Sequence, residues 1–201
     1  MTGPPLRVLM VCTGNICRSP MMERMLRAAL DQRGASDEVS VASAGTWAQA
    51  GEPMQPFAGK TLNELGVDAA GFVATPLTEE LVRSSDLVIT ATREHRAHVV
   101  GLVPGAVRRT FTLLELARIA STAPSPPESE SAGDTARFHE IVAWAAQMRG
   151  TVSRSEDKVD DLDDPLGAPL AVYRERAEMI ASAVEQIAPF LIGEPRDTEA
   201  G

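Results

Sequence analysis

The stretch that decides the fold is Cys12-Thr13-Gly14-Asn15-Ile16-Cys17-Arg18-Ser19-Pro20, which directly follows an apolar run at residues 6–11. The run is typical of a buried parallel strand, and the residues after Ser19 are typical of a helix. The stretch between them is therefore predicted to be a loop that closes over a helix N-terminus. Backbone N–H groups in the first turn of a helix lack partners, and the helix dipole adds positive charge there. The sequence thus predicts an anion-binding cradle.

The chemistry of this loop is carried by Cys12 and Arg18. The guanidinium of Arg18 offers a planar fork to two phosphate oxygens, and the same positive field stabilises the nucleophilic thiolate form of Cys12. Asn15 tolerates the left-handed backbone that a tight cradle needs, and Ser19 is expected either to cap the helix or to donate to the thiolate. The alternative is a buried structural Cys12 and a surface Arg18. The combination of residues favours the functional interpretation.

Size and charge limit the possible functions. The chain has 201 residues and a formal net charge of -9, which argues against nucleic acid and anionic membranes as partners. Its two cysteines cannot form a disulfide framework, and neither a secretory signal nor a membrane-spanning apolar stretch is recognisable. We therefore expect a cytoplasmic protein with one domain at residues 1–193 and a polar tail at residues 194–201.

Strand and helix patterns alternate along the chain. Strands are predicted at residues 6–11, 39–44, 86–91 and 108–111, and the first helix at residues 21–33. This alternation predicts an α/β fold with a parallel sheet. In such sheets a ligand lies beyond the carboxyl ends of the strands, where Cys12 is placed.

An insertion is predicted at about residues 121–160. Residues 121–136 are rich in Pro, Ser and Glu and are predicted to form a loop, followed by an amphipathic helix that ends at Gly150. Residues 151–161 are again polar, and a long helix is predicted at residues 169–191. The insertion is either a peripheral addition or a partial lid over the cradle.

A second chemical element is the run Asp160-Asp161-Leu162-Asp163-Asp164-Pro165-Leu166-Gly167. Expelling an alkoxide or phenoxide from phosphorus requires a proton donor, and a carboxylic acid on a stiff loop near the cradle supplies one. Alone, such a run is more typical of a solvated acidic loop that caps a helix. The thiolate and the anion cradle elsewhere in the chain favour the general acid.

Together with Ser43-Ala44-Gly45-Thr46 and the late Asp164-Pro165 pair, residues 12–20 resemble the low-molecular-weight protein tyrosine phosphatases. The resemblance implies a four-stranded parallel sheet with helices on both faces, a phosphatase I-like three-layer sandwich. It also implies a phosphocysteine intermediate and neither metal nor cofactor. The implied roles are Cys12 as nucleophile, Arg18 as phosphate clamp, Asp164 as general acid, Asn15 and Ser43 as loop supports, Ser19 as thiolate stabiliser and Trp47 as a cleft wall. Thr13, Gly14, Ile16 and Cys17 complete the substrate-binding loop, and Leu166 stands where the family usually has an aromatic residue.

Several alternatives remain at this point. An arsenate reductase coupled to an external thiol uses the same cradle, and a non-catalytic phosphate- or phosphotyrosine-binding protein would need neither Cys12 nor Asp164. The resemblance implies a tyrosine-phosphorylated protein partner, either a bacterial tyrosine kinase of polysaccharide export or a host protein. Cys17 is either a packing residue or a disulfide partner of Cys12 under oxidation. His95, His98 and His139 lack metal-ligand spacing, and the sequence does not predict the oligomeric state.

Overall fold

The computed structural model describes residues 5–123, 134–152 and 160–193. Within these ranges four parallel strands form one sheet: β1 (Leu6–Cys12), β2 (Val39–Gly45), β3 (Leu87–Thr90) and β4 (Thr110–Thr112). Their spatial order is β2-β1-β3-β4. Because the order reverses at β1, a crevice opens beyond the carboxyl ends of β1 and β3. The predicted four-stranded parallel sheet is confirmed.

Helices cover both faces of the sheet. They are α1 (Arg18–Gln32), α2 (Pro56–Glu64), α3 (Glu79–Ser84), α4 (Arg93–Leu102), α5 (Leu113–Thr122), α6 (Asp134–Met148) and α7 (Leu170–Leu191). Alternate side chains of β1 enter two separate cores: Val8 and Met10 pack with α1, α2, α5, α6 and α7, while Leu9 and Val11 pack with α3 and α4. The result is the expected three-layer α/β sandwich. In the described ranges no helix has both the length and the apolarity required to span a bilayer.

The predicted starts of the first helix and the fourth strand were wrong by two or three residues. The first helix begins at Arg18, three residues before the predicted start, directly after the cradle. The fourth strand begins at Thr110, because Arg108 and Arg109 belong to a 3-10 helix (Pro104–Arg109). The Arg109 guanidinium donates to the carbonyl oxygens of Ser85 (3.0 Å) and Gly105 (3.3 Å), which holds this turn against the end of α3.

The described part of the insertion is a helix that joins the main core. Residues 121–122 and 134–136, predicted as loop, are helical, while residues 124–133, 153–159 and the tail at 194–201 lie outside the described residues. Phe138 and Ile141 of α6 are buried in the core between the sheet and α7. His139 Nε2 lies 2.8 Å from Asp86 Oδ1, at the amino end of β3. Helix α6 therefore lies at the end of the sheet opposite Cys12, and it is not a lid.

Candidate active site

The loop between β1 and α1 is held by backbone hydrogen bonds to the segment that follows β2. Four of its carbonyl oxygens accept N–H donors at 2.8 to 3.0 Å: the pairs are Thr46 to Cys12, Trp47 to Thr13, Gln49 to Gly14 and Gln55 to Ile16. These bonds direct the loop's carbonyl groups toward the segment that follows β2. No acceptor for the N–H groups of residues 14–17 is found among the described residues. The loop therefore presents the unpaired donors that an anion cradle needs.

The N-terminus of α1 adds to this positive field. Its N-cap residue is Cys17, which makes no side-chain capping bond, and its first turn contains no acidic residue. The Ser19 hydroxyl, expected as a cap or as a partner of the thiolate, does not cap the helix. The helix dipole is thus directed into the loop without a side-chain acceptor in front of it.

Asn15 locks the shape of the cradle. Its φ is 53°, so the predicted left-handed conformation is confirmed. Its Nδ2 donates to Ser19 Oγ and to Ser43 Oγ, each at 2.9 Å, and its Oδ1 accepts from the Thr75 amide at 2.7 Å. The amide group is therefore fully engaged, and a rotation of Asn15 would break three hydrogen bonds.

The Ser19 hydroxyl is oriented toward the cysteine. Ser19 Oγ lies 2.9 Å from Cys12 Sγ, and both side chains are buried. Because Ser19 Oγ already accepts from Asn15, its own hydrogen is available to the sulfur; the competing acceptor, the Ala44 carbonyl oxygen, lies farther away at 3.4 Å. A donated hydrogen bond stabilises the thiolate form.

Glu23 ends this network and was not predicted from the sequence. Its Oε2 accepts from Ser43 Oγ at 2.6 Å, and its Oε1 lies 3.4 Å from Arg27. A glutamate four residues after Ser19, and therefore on the same face of α1, was the signal available in the sequence. Glu23 orients the Ser43 hydroxyl so that Ser43 accepts from Asn15.

A close backbone approach fixes the second side of the cradle. A Cβ atom on Gly45 would lie 2.5 Å from the Thr13 carbonyl oxygen and 3.0 Å from Ala48. Only glycine permits this approach, and the segment Ser43-Ala44-Gly45-Thr46 supplies it. The contact brings Trp47 beside the cradle.

Arg18 is buried, with 4 % of its surface exposed, and its guanidinium reaches the cradle. Nη1 donates to the Leu162 carbonyl oxygen at 3.1 Å, and Nη2 lies 3.3 Å from Thr13 Oγ1 and 2.6 Å from Asp164 Oδ2. The buried Nε finds no hydrogen-bond partner among the described residues. A buried N–H of this kind is costly unless a ligand pairs it.

The acidic loop is tied to the sheet by its first residues. Asp160 accepts from Arg118 Nη2 at 2.9 and 3.1 Å, and Asp161 accepts from the Arg93 amide at 2.7 Å. The Leu162 amide donates to the Ala91 carbonyl oxygen at 2.8 Å. The loop is therefore anchored at the carboxyl end of β3, beside the cradle.

The two later carboxylates differ in their surroundings. The Asp163 side chain is 80 % exposed and lies 3.7 Å from Arg176, so the solvated interpretation of the acidic run applies to it. Asp164 faces the cradle and pairs with Arg18. Its Oδ1 also accepts from the Leu166 amide at 3.2 Å, across Pro165, which fixes the direction of the carboxylate.

Most of the predicted site residues line one cleft of about 120 Å³. They are Cys12, Thr13, Gly14, Ile16, Cys17, Arg18, Trp47, Asp164 and Leu166, joined by Gln49, which was not predicted. Asn15, Ser19 and Ser43 lie behind the loop as its supports. Trp47 is 79 % exposed and Leu166 is 52 % exposed, so two apolar side chains stand at the cleft.

This geometry occurs in a chain whose sequence matches a known protein family. The family model described as low molecular weight phosphotyrosine protein phosphatase matches residues 7–147. The chain belongs to this family. It is therefore a phosphatase, and its match extends from β1 to α6.

Two relatives of this phosphatase have different substrates in their names. The protein-arginine-phosphatase of Bacillus subtilis (strain 168) is 37% identical over 108 residues, covering 54% of this chain and 70% of that protein. The probable low molecular weight protein-tyrosine-phosphatase AmsI of Erwinia amylovora is 39% identical over 104 residues, covering 52% of this chain and 68% of that protein. The family thus includes both phosphotyrosine and phosphoarginine enzymes.

A solved structure matches the fold of this phosphatase over most of its length. It is the YwlE arginine phosphatase in a cysteine-to-serine mutant with a phosphorylated active-site serine. The TM-score is 0.66 at 26% identity, covering 91% of this chain and 93% of that chain. In that protein the residue that replaces a cysteine carries the phosphoryl group.

Cys17 packs in the core of this phosphatase. Its Sγ lies 3.8 Å from the Tyr173 hydroxyl, and both cysteines are free and buried. Burial raises the pKa of Cys17 to about 12, so at neutral pH it is a thiol. Its packing role is observed, and its role as an oxidation partner of Cys12 stays a prediction.

The three histidines lie in different surroundings. Among the described residues no group of His, Cys, Asp and Glu side chains suits a metal ion. His139 pairs with Asp86, and His98 is exposed on α4. His95, by contrast, is buried beside Thr13. From the sequence we weighed it only as a metal ligand and predicted no place for it in the cradle. Its position in the first turn of α4, directly after β3, whose carboxyl end faces the cradle, was the available signal.

Proposed function

We propose that this phosphatase is a protein tyrosine phosphatase that hydrolyses aryl phosphate monoesters through a phosphocysteine on Cys12. The supporting observation is that Cys12, Arg18 and Asp164 line one cleft, with the Arg18 guanidinium buried there. A guanidinium held in this way, together with the free amides of residues 14–17, suits a phosphate dianion. Cys12 lies at the same cradle, where a sulfur nucleophile meets phosphorus.

In the first step, the Cys12 thiolate attacks phosphorus in line with the tyrosyl oxygen. The S–P bond forms as the P–O bond to the ring breaks, and the departing oxygen takes the proton of the Asp164 carboxyl group. The Ser19 hydroxyl, 2.9 Å from the sulfur, stabilises the thiolate. Arg18 and the loop amides stabilise the charge that develops on the three equatorial oxygens.

In the second step, water attacks phosphorus on the side opposite the sulfur. The Asp164 carboxylate takes a proton from this water, the S–P bond breaks, and inorganic phosphate leaves. The Cys12 thiolate and the Asp164 acid are thereby restored, and the sequence of steps requires no cofactor. The phosphorylated serine in the structure of the arginine phosphatase relative supports a covalent intermediate at this position.

The remaining loop residues bind the phosphoryl group rather than react with it. Thr13, Gly14, Asn15, Ile16, Cys17 and Ser19 supply backbone N–H groups or hold the loop, and Ser43 supports Asn15. This assignment rests on the outward-facing carbonyl groups of the loop and on the three hydrogen bonds of the Asn15 amide.

The walls of the cleft favour an aromatic leaving group over a guanidinium. Ile16, Trp47 and Leu166 offer apolar surface against a flat ring. The leaving group of phosphoarginine is cationic, and it would need carboxylates for itself. Asp164 is the only carboxylate among the described residues that line the cleft, and it already pairs with Arg18.

The test compares phosphotyrosine and phosphoarginine in peptides of identical sequence. We expect kcat/KM to be higher for phosphotyrosine, and we expect Trp47→Ala to lower it mainly through KM. The matched control is Val107→Ala, an exposed apolar residue on the 3-10 helix at the opposite end of the sheet. Preference for phosphoarginine would replace this substrate assignment with that of the Bacillus relative.

The same samples test the two other functions considered from the sequence. Arsenate reduction that depends on an added thiol, without phosphate release, would indicate the arsenate reductase. Tight phosphotyrosine binding without release would indicate a binding protein. The proposal includes a tyrosine-phosphorylated protein as partner, with bacterial tyrosine kinases as one candidate class.

We also propose that residues 1–193 form one domain, which carries the insertion at about 121–160. Helix α6 supports this proposal, because it shares the core formed by β1, α5 and α7.

We place the protein in the cytoplasm, because both cysteines are free thiols.

A further inference from the structure

His95 connects the candidate active site to α4 and has no part in the steps above. It is 6 % exposed. Its Nε2 lies 2.9 Å from Thr13 Oγ1 in the cradle, and its Nδ1 lies 2.7 Å from Oγ1 of Thr92, the N-cap of α4. Both ring nitrogens are therefore used, one toward the cradle and one toward the helix.

Thr13 carries this contact to the phosphate clamp. Its Oγ1 accepts from Arg18 Nη2 at 3.3 Å, and the same Nη2 lies 2.6 Å from Asp164 Oδ2. A threonine hydroxyl rotates freely unless a second partner fixes it. His95 is that second partner, so one hydroxyl group separates it from the guanidinium.

The charge state of the ring suits this position. Burial, and after it the charge of Arg18, lower the pKa of His95 to about 4. Near neutral pH the ring is uncharged, so it holds Thr13 without repelling the guanidinium. The opposite contribution of Asp164 and Asp161, which raise this pKa, is smaller.

We propose that His95 is a positioning residue for the phosphatase reaction, acting through the Thr13 hydroxyl to hold the Arg18 guanidinium in the plane that binds the phosphoryl oxygens. The expected changes in kcat and KM rest on the proposed function. The positioning of Arg18 rests only on the hydrogen bonds that join His95 to Thr13 and Thr13 to Arg18. The guanidinium is also held by the Leu162 carbonyl oxygen at Nη1, so His95 and Thr13 fix the remaining Nη2 edge. Because charge on the equatorial oxygens is greatest in the transition state, a loosened guanidinium lowers kcat more than it raises KM.

The experiment measures kcat and KM for an aryl phosphate in the full chain. We expect His95→Leu to lower kcat by about 10- to 100-fold, as for a misplaced catalytic group, with KM within about threefold. The matched control is His98→Leu, on the same helix but exposed, which should retain wild-type kinetics. Circular dichroism establishes that each variant is folded.

Two conservative variants separate positioning from a structural role in α4. The amide of His95→Gln reaches the position of Nε2 and can contact Thr13, whereas that of His95→Asn reaches the position of Nδ1 and can contact Thr92. The proposal requires that glutamine restore more activity than asparagine. If asparagine restores activity and glutamine does not, the contact with Thr92 is the one that matters and the proposal fails.

A double-mutant cycle tests the route through Thr13. Thr13→Val removes the hydroxyl and keeps the shape of the side chain. Adding His95→Leu to this variant should therefore lower kcat little further. Effects that multiply in the double variant, or wild-type kcat in a folded His95→Leu, would overturn the inference.

The inference and the proposed function fail in different ways. If the wild type releases no phosphate from any aryl phosphate, the proposed function fails. Calorimetric binding of vanadate, a mimic of the trigonal-bipyramidal transition state, still tests His95, because weaker binding in His95→Leu than in His98→Leu supports the positioning role, and equal binding contradicts it.

Discussion

Arg18 and Asp164 form an ion pair in which Nη2 and Oδ2 are 2.6 Å apart. The proposed phosphate clamp and the proposed proton donor are therefore partners of each other. A substrate dianion that binds the guanidinium competes with Asp164 for the same Nη2 group. Substrate binding is therefore expected to release the Asp164 carboxyl group from Arg18 and leave it beside the phosphoryl group.

This relationship predicts how Asp164→Asn responds to the leaving group. General acid catalysis typically contributes about 10² to 10⁴ in rate. We expect a loss of that order for phosphotyrosine, whose phenol needs a proton, and a much smaller loss for an aryl phosphate with a strongly acidic phenol. Steady-state rates on the two substrates measure the difference.

Asp163→Asn is the control for this prediction. Asp163 adjoins Asp164, but its side chain is 80 % exposed and makes no contact with Arg18. It should retain nearly wild-type rates on both substrates. A larger loss in Asp163→Asn, or equal losses on both substrates in Asp164→Asn, would place the acid elsewhere.

A second prediction concerns Glu23, at the end of the network that reaches Cys12. Glu23→Ala leaves the Ser43 hydroxyl without its acceptor in a buried site, which typically costs about 1–3 kcal/mol. We expect a lower free energy of unfolding and, because Asn15 and Ser19 lose support, a lower kcat. Urea unfolding and initial rates test both effects.

Glu80→Ala provides the comparison for Glu23. Glu80 is exposed in the first turn of α3, so its removal should change stability by less than about 0.5 kcal/mol. If Glu23→Ala is as stable and as active as Glu80→Ala, the buried carboxylate does not support the cradle.

A third prediction follows from the pKa of His95, which burial lowers from 6.5 to about 4. The unfolded chain therefore binds this proton first as the pH falls. The resulting contribution to stability is complete above pH 6.5 and is lost as the pH falls toward 4, by about 2 kcal/mol between pH 7 and pH 5. His95→Gln lacks this loss, so its free energy of unfolding should fall less steeply over that interval.

Urea unfolding at pH 7 and pH 5 measures the effect as a difference between variants. Other groups also titrate between pH 5 and pH 7. Their contribution cancels when the change in the free energy of unfolding of His95→Gln is compared with that of the wild type. His98→Gln should follow the wild type. Parallel falls in stability for all three proteins would show that His95 is protonated equally in the folded and unfolded chains.

The central strand, the cradle and the sheet were predictable because their signals are local. An apolar run followed by Cys12, glycine and Arg18 describes a strand, a loop and a helix start within a few residues of each other. The fourth strand was misplaced because Thr110–Thr112 is only three residues long and follows the polar Arg108 and Arg109. A strand this short has no periodicity to recognise.

The anchors of the acidic loop could not be predicted, because their partners lie far away in the sequence. Asp161 meets Arg93 across 68 positions, and Asp160 meets Arg118 across 42. Which arginine pairs with which aspartate depends on how the ends of β3 and α5 come together. The position of His95 directly after β3 placed it near the cradle, but its contact with Thr13, across 82 positions, could not be predicted.

The most direct test of the account is the identification of the phosphorylated residue during turnover. The enzyme is mixed with an aryl phosphate, quenched in acid within one turnover, digested and analysed by mass spectrometry. We predict a phosphoryl group on the sulfur of Cys12 in the wild type, more of it in Asp164→Asn when the leaving group is activated, and no sulfur adduct or turnover in Cys12→Ser. Release of phosphate at the wild-type rate by Cys12→Ser, or an adduct on another residue, would contradict it.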